Sequence, residues 1–86
     1  MTQAATLLAN ARAAGLTIAT AESCTGGMVA AAITDVAGSS AVFDRGFVTY
    51  TNAAKMQMLN VKSDTLARYG AVSEQVAYQM ATGAIA

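Results

Sequence analysis

The fold is decided by residues 16–38, which read LTIATAESCTGGMVAAAITDVAG. The first seven residues carry no charge before Glu22 and include Thr and Ile, a pattern typical of a short buried β-strand. A glycine-containing turn follows. Apolar residues then recur with helical spacing, at Val29, Ala32, Ile33 and Val36. The stretch therefore predicts a strand, a tight turn and a helix that ends near Gly38.

The flanking sequence extends this pattern in both directions. A first helix is predicted over Thr2–Ala14, with Gly15 as its left-handed C-cap. A second strand is predicted over residues 42–51, with Tyr50 at its C-terminal end. Its alternation places Phe43, Arg45, Phe47 and Thr49 on one face. Three more helices are predicted, with Asn52, Ser63 and Ser73 as their N-caps. The first runs to about Leu59, the second to about Tyr69, and the third follows Ser73.

The number of strands limits what this chain can build. Two buried strands do not complete a layered α/β domain. The sequence contains no proline and no internal boundary, so residues 1–86 are predicted to form a single domain. We expect this domain to be an α/β fold that is only partly represented, with its remaining strands on a missing segment or another chain.

Composition excludes several functions. Five basic and five acidic residues cancel, which leaves no charge for binding a nucleic-acid backbone or an anionic membrane. Histidine is absent and cysteine occurs once, so the chain has no Ser/His/Asp triad, Cys/His pair or internal disulfide. No acidic cluster resembles a metal site. The sequence predicts that neither a metal nor an organic cofactor is used.

The apolar residues do not predict a membrane protein. Polar residues interrupt every apolar run before it reaches the ~18 residues that a spanning helix needs. The N-terminus lacks the basic region of a signal peptide. A reduced cytoplasmic location is therefore expected. Many of the apolar residues are alanine, which buries little area, so we also expect a partner surface.

The first candidate site is the turn Ser23–Gly27, between the predicted strand and helix. Ligands of open α/β sheets bind beyond the carboxyl ends of strands, where helix N-termini present free N–H groups. A serine held there exposes its hydroxyl near donors that could stabilise an oxyanion. The alternative is structural: Ser23 or Thr25 is only an N-cap, and the glycines form a tight turn.

The second candidate site is Tyr50 with Lys55, directly after the second strand. If the two strands are parallel neighbours, their carboxyl ends place these residues at the same edge as Ser23. Without histidine, a neutral lysine amine is the natural base for a serine, and a phenol can share the proton. The alternative is that Lys55 is a solvated helix residue and Tyr50 an ordinary strand aromatic.

Two neighbours of Ser23 allow more than one interpretation. Cys24 could be a reactive thiol at a helix N-terminus, although a buried and inert thiol is the more common case. Glu22 ends a buried strand, where a carboxylate needs a reason. It could bind substrate, orient the serine turn, or pair with Lys55.

A family resemblance is carried by residues 20–61, TAESCTGGMVAAAITDVAGSSAVFDRGFVTYTNAAKMQMLNV, and continues in YGAVSEQVA, residues 69–77. The sequence resembles the CinA-type C-terminal domain family of nicotinamide mononucleotide amidohydrolases. The resemblance implies a three-layer α/β/α sandwich with a mixed sheet. It also implies cleavage of the carboxamide of nicotinamide mononucleotide, giving nicotinic acid mononucleotide and ammonia.

The resemblance also assigns roles. Ser23 matches the nucleophile, Tyr50 the tyrosine and Lys55 the base of a serine amidase that resembles the serine β-lactamases. Substrate contacts are expected from Glu22, Thr25, Gly26, Gly27 and Asn52. Family domains run about twice as far, so we expect either a homo-oligomer or a C-terminal half that completes the domain. A nucleotide-binding module without catalysis, and an assembly element for another chain's core, are the alternatives.

Overall fold

The computed structural model describes every residue from Met1 to Ala86 and contains five α-helices, two β-strands and a 3₁₀ helix. The elements are, in chain order, α1 (Gln3–Ala14), β1 (Ile18–Glu22), α2 (Met28–Thr34), the 3₁₀ helix (Ser39–Ala41), β2 (Phe43–Val48), α3 (Asn52–Leu59), α4 (Ser63–Tyr69) and α5 (Glu74–Ala84). The predicted α/β class is confirmed. The predicted end of α2 near Gly38 is wrong, because the helix stops at Thr34 and the 3₁₀ helix follows.

The two strands pair in parallel, and Glu22 of β1 lies opposite Val48 of β2 in the last pair. Parallel strands need a crossover connection, which α2 supplies while contacting both strands. The parallel arrangement was the condition for placing the two candidate sites at one edge of the sheet, and it is met.

Two apolar clusters lie on opposite faces of this strand pair. Leu8, Ala11, Ile33 and Val42 form the first cluster, against which Ile18 and Phe43 pack. Leu59, Val61, Val76 and Met80 form the second, against which Ala21 and Phe47 pack. Residues separated by an odd number of positions on a strand point to opposite faces, so Ile18 and Ala21 face different clusters. Helices therefore cover both faces of the strand pair.

The predicted alternation along β2 is wrong at one point. Ile18 pairs with Phe43, but Ala19 pairs with Arg45, so Asp44 has no partner and the register shifts. An extra residue of this kind is a β-bulge, and it reverses which side chains share a face. Phe43 consequently packs in the first cluster and Phe47 in the second, rather than together.

Local capping agrees with the sequence at three helix ends. The Thr2 hydroxyl accepts from Ala5 N–H, Gly15 is left-handed with φ of 69°, and the Ser73 hydroxyl accepts from Val76 N–H at 3.2 Å. The predicted caps of α3 and α4 are each wrong by one position. Thr51, not Asn52, caps α3, and its hydroxyl accepts from Ala54 N–H at 3.0 Å. Lys62, not Ser63, is the N-cap residue of α4, and its side chain makes no capping hydrogen bond.

One side of the molecule keeps an apolar groove of about 480 Å³ between β1 and α5. Eight of its nine lining residues are hydrophobic, including Ala19, Ala21, Ala77 and Ala81. Tyr78 and Ile85 at its border are 75% and 81% exposed. None of the helices is both long and apolar enough to cross a membrane.

Candidate active site

The candidate site lies at the carboxyl edge of the strand pair, where a backbone hydrogen bond joins the two strand ends. The N–H of Thr49 donates to the carbonyl of Glu22 at 2.8 Å, one step beyond the last strand pair. Thr49 is fully buried. Ser23 follows Glu22 and Tyr50 follows Thr49, so both leave the sheet from adjacent positions. Nothing in the sequence pattern distinguished Thr49 as the residue that holds this junction.

Lys55 lies in the first turns of α3 and is 2% exposed. Its Nζ donates to the carbonyl oxygen of Tyr50 at 3.3 Å. The only ion pair in the chain joins Asp44 to Arg45, so no carboxylate neutralises Lys55. The interpretation of Lys55 as a solvated helix residue is therefore wrong. A buried lysine without an acidic partner is an uncommon arrangement and is found more often at functional sites than elsewhere.

Tyr50 presents two different groups to this edge. Its carbonyl receives the Lys55 amine, whereas the residue as a whole is 69% exposed and its phenol makes no hydrogen bond within the chain. The structure thus brings Tyr50 and Lys55 together through the main chain. Contact of the phenol with the amine or with the Ser23 hydroxyl stays a prediction.

The serine turn is a compact connection with two left-handed glycines. Ser23 is half-buried, and its carbonyl accepts from Gly26 N–H at 3.0 Å. Gly26 and Gly27 have φ of 62° and 107°, a backbone conformation that side-chain-bearing residues rarely adopt. The glycines thus form the tight turn that was expected if this segment has only a structural role. The N-cap of α2 is Gly27, and neither Ser23 nor Thr25 serves as the cap.

A carboxylate takes over the capping of α2. Glu22 is 4% exposed, and its side chain folds back over the turn to meet the start of the helix. Its Oε1 accepts from Thr25 Oγ1 at 2.8 Å, Gly27 N–H at 3.2 Å and Val29 N–H at 2.9 Å, and its Oε2 accepts from Ala30 N–H at 3.0 Å. Of the three roles considered for Glu22, these contacts match orientation of the serine turn. Substrate contact by Glu22 stays a prediction.

The pKa of Glu22 reflects two opposing effects. Burial of the carboxylate raises the pKa, whereas hydrogen bonds from Val29 N–H, Ala30 N–H, the Thr25 hydroxyl and Gly27 N–H lower it. The hydrogen bonds prevail, and the pKa lies below the ordinary value of 4.5. Glu22 is therefore an ionised cap at neutral pH.

The hydrogen bonds of the turn determine which N–H groups could face a ligand. Gly26 donates to Ser23, Gly27 donates to Glu22, and Met28 donates to the Thr25 carbonyl at 3.1 Å. The N–H groups of Cys24 and Thr25 have no hydrogen-bond partner within the chain. Oxyanion donors were expected near Thr25 to Gly27, and the unused donors lie at the start of that range and just before it.

The remaining predicted residues lie at the surface of this edge. Cys24 is exposed, so the interpretation of this thiol as buried is wrong. Asn52 is exposed in the first turn of α3, and its predicted contact with substrate stays a prediction. No group of three His, Cys, Asp or Glu side chains is arranged to hold a metal ion.

The fold and this edge together define the class of protein: an α/β domain with a serine turn and a buried lysine at the carboxyl ends of parallel strands. The family model described as CinA C-terminal domain matches residues 1–86, and the chain belongs to this family.

Known relatives agree with this assignment. The nicotinamide-nucleotide amidohydrolase PncC of Escherichia coli is 64% identical over 74 residues, which cover 86% of this chain and 45% of that protein. A CinA-like protein of Chloroherpeton thalassium is 58% identical over 71 residues, 83% of this chain and 17% of that protein. The crystal structure of a competence/damage-inducible protein from Agrobacterium tumefaciens has a TM-score of 0.90 and 57% identity, and covers 95% of this chain and 50% of that chain. The chain spans about half, or less, of the length of these relatives.

Proposed function

We propose that the protein hydrolyses the carboxamide of nicotinamide mononucleotide, giving nicotinic acid mononucleotide and ammonia, with Ser23 as the nucleophile. The identity to proteins named nicotinamide-nucleotide amidohydrolase supports the substrate. The single observation that carries the proposal is the burial of Lys55 at the serine edge, where the one hydrogen bond of its amine goes to the main-chain carbonyl of Tyr50.

The proposed reaction uses groups of this chain alone. The amine of Lys55 acts as the base and, assisted by the Tyr50 phenol, accepts the proton of the Ser23 hydroxyl as the serine oxygen attacks the carboxamide carbon. The carbonyl oxygen becomes an oxyanion, which the free N–H groups of Cys24 and Thr25 stabilise. The C–N bond then breaks, the nitrogen leaves as ammonia with the proton from Lys55, and water releases the acid from Ser23. No metal or organic cofactor takes part.

Substrate binding is proposed for the surface around the turn. The backbone of Gly26 and Gly27 lets a ligand approach closely, because neither residue carries a side chain there. Exposed Asn52, on the α3 side of the same edge, supplies a polar group to the substrate, whereas the Thr25 hydroxyl donates to Glu22.

The alternative of a nucleotide-binding module without catalysis has weaker support. A phosphate at the start of α2 would need the N–H groups of Gly27, Val29 and Ala30, which already donate to Glu22. A buried Lys55 also adds little charge to a phosphate at the surface.

The apolar groove between β1 and α5 supports a further part of the proposal. Because the Escherichia coli relative is about twice as long as the matched region, we propose that the remainder of the fold covers this groove in the working protein. A second segment of the same polypeptide and a second copy are the two possible sources. The intact mass of the purified protein distinguishes them.

The test is Ser23→Ala in the intact protein, with ammonia release from nicotinamide mononucleotide as the measurement. We expect loss of at least about 100-fold in kcat, since a nucleophile has no substitute here. Ser40→Ala is the matched control, because Ser40 is an exposed serine of the 3₁₀ helix, and its activity should be unchanged. A loss of less than about tenfold, or ~1.4 kcal/mol in the barrier, would contradict a nucleophilic role.

A further inference from the structure

The contacts of Glu22 bridge the whole serine turn. The carboxylate belongs to the last residue of β1, yet its oxygens accept hydrogen bonds from residues three to eight positions further along the chain. The residue directly after it is Ser23. Any change in these hydrogen bonds therefore moves the connection between the strand end and the start of α2, which is the segment that holds the candidate nucleophile.

We propose that Glu22 is a positioning residue for catalysis that acts through Ser23, in place of the substrate contact that the family resemblance led us to expect. The inference rests on the proposed function. Glu22 is 4% exposed, and both carboxylate oxygens accept hydrogen bonds from groups of the same chain. Four donors hold this buried carboxylate in place, because releasing any one of them removes part of the stabilisation of a buried charge.

The same carboxylate selects which donors remain for the substrate. It accepts the N–H groups of Gly27, Val29 and Ala30, which would otherwise form the free start of α2. The N–H groups of Cys24 and Thr25 stay without partners, one and two positions after Ser23. The negative charge of Glu22 thus occupies the helix end and leaves oxyanion stabilisation to the turn.

Thr25 offers the mildest way to disturb this arrangement. Its hydroxyl donates to Glu22 Oε1 at 2.8 Å, and the side chain itself is exposed. Thr25→Val removes that donor with little change of shape, whereas Thr25→Ser keeps it. Thr34→Val, at the other end of α2, is the control, because the Thr34 hydroxyl donates only to the carbonyls of Ala30 and Ala31.

The experiment measures ammonia release by the intact protein and its variants over a range of nicotinamide mononucleotide concentrations. For Thr25→Val we expect kcat to fall about tenfold while KM stays within about twofold, because a charge-assisted hydrogen bond is lost away from the substrate. Thr25→Ser should recover most of that loss. For Glu22→Gln, which loses the charge and one acceptor, we expect kcat to fall about 100-fold. Thr34→Val should leave kcat unchanged.

Several outcomes would overturn the inference. A rise in KM with constant kcat in Thr25→Val would mean that Thr25 binds substrate instead. Equal losses in Thr25→Val and Thr34→Val, or no rescue by Thr25→Ser, would show a general effect on α2. If Glu22→Gln does not fold, the two Thr25 variants decide alone.

Loss of activity in Ser23→Ala together with full activity in Thr25→Val refutes only the inference. Activity retained in Ser23→Ala, or absent from the unsubstituted protein, refutes the proposed function and the inference with it.

Discussion

At the scale of single residues, the burial of Lys55 is the feature that separates this edge from an ordinary loop. Its side chain starts on α3, and the amine at its end donates to the main-chain carbonyl of Tyr50. Burying an amine in such a place costs side-chain conformational entropy and desolvation free energy. An apolar residue at this position would stabilise the fold more. The burial of Lys55 is consistent with selection for chemistry.

Lys55→Met tests this argument, because Met keeps the length of the side chain without the amine. We expect loss of about 100-fold or more in kcat, the range of a general base, with the free energy of unfolding unchanged or increased. Ammonia release and urea denaturation are the two measurements. Lys62→Met, at an exposed lysine just before α4, is the control and should change neither. Full activity in Lys55→Met would exclude the lysine as base.

At the scale of elements, the start of α2 depends on an ionised group. Because the pKa of Glu22 is lowered in the folded state, its contribution to stability is fully present above the ordinary value of 4.5. The contribution disappears as the pH falls through the folded-state pKa. Glu22→Gln should therefore weaken the dependence of the unfolding free energy on pH below about 4.5.

Urea denaturation at a series of pH values between neutrality and the acid range measures this effect. The unsubstituted protein should lose stability on acidification more steeply than Glu22→Gln, so that the difference between them narrows at low pH. Parallel curves for the two proteins would show that Glu22 titrates alike in the folded and unfolded states.

The crossing of α3 and α5 is a second feature at this scale. A Cβ on Gly83 would clash with the carbonyl oxygen of Leu59, and a backbone atom cannot move aside as the end of a flexible side chain can. Gly83→Ala should push α5 away from α3 and lower the free energy of unfolding by about 3 kcal/mol. Because α3 carries Lys55, we expect kcat to fall as well.

The comparison for Gly83 is Gly15→Ala at the C-cap of α1. Gly15 has φ of 69° but no atom within 4 Å of an added Cβ, so only backbone strain opposes the substitution, about 1 kcal/mol. Thermal unfolding of both variants decides the matter. A larger loss for Gly15→Ala than for Gly83→Ala would mean that the helix crossing is not tight.

At the scale of the whole molecule, the groove between β1 and α5 leaves apolar side chains uncovered. Exposed apolar patches of this kind favour association. We expect the 86-residue chain on its own to self-associate, and Ala81→Glu to shift it to the monomer by placing a charge in the groove. Sedimentation velocity measures this. Ala13→Glu, on the exposed side of α1, should leave association unchanged, and a monomeric unsubstituted chain would contradict the expectation.

Sequence reasoning succeeded where the signal was local. The cap at Gly15 and the helix start at Ser73 depend on a few neighbouring residues, and both were predicted. The bulge at Asp44 depends on how β2 pairs with β1, and no pattern within β2 reveals it. The predicted placement of Phe43 on the same face as Phe47 was therefore wrong. The burial of Lys55 likewise arises from packing between elements distant in the chain. The roles of Ser23, Tyr50 and Lys55 were predicted from their place at the strand ends and from the family resemblance, and their contact with substrate stays a prediction.

The hydrogen bond between Thr49 and Glu22 has a practical use. Its donor is fully buried and joins the two strand ends that lead to Ser23 and Tyr50. An amide proton in this position exchanges with deuterium only when the edge opens. The exchange rate of the Thr49 amide thus shows, without any ligand, whether the strand end before Ser23 stays paired with the strand end before Tyr50 and Lys55. NMR can measure this rate in every variant, including variants with no measurable turnover.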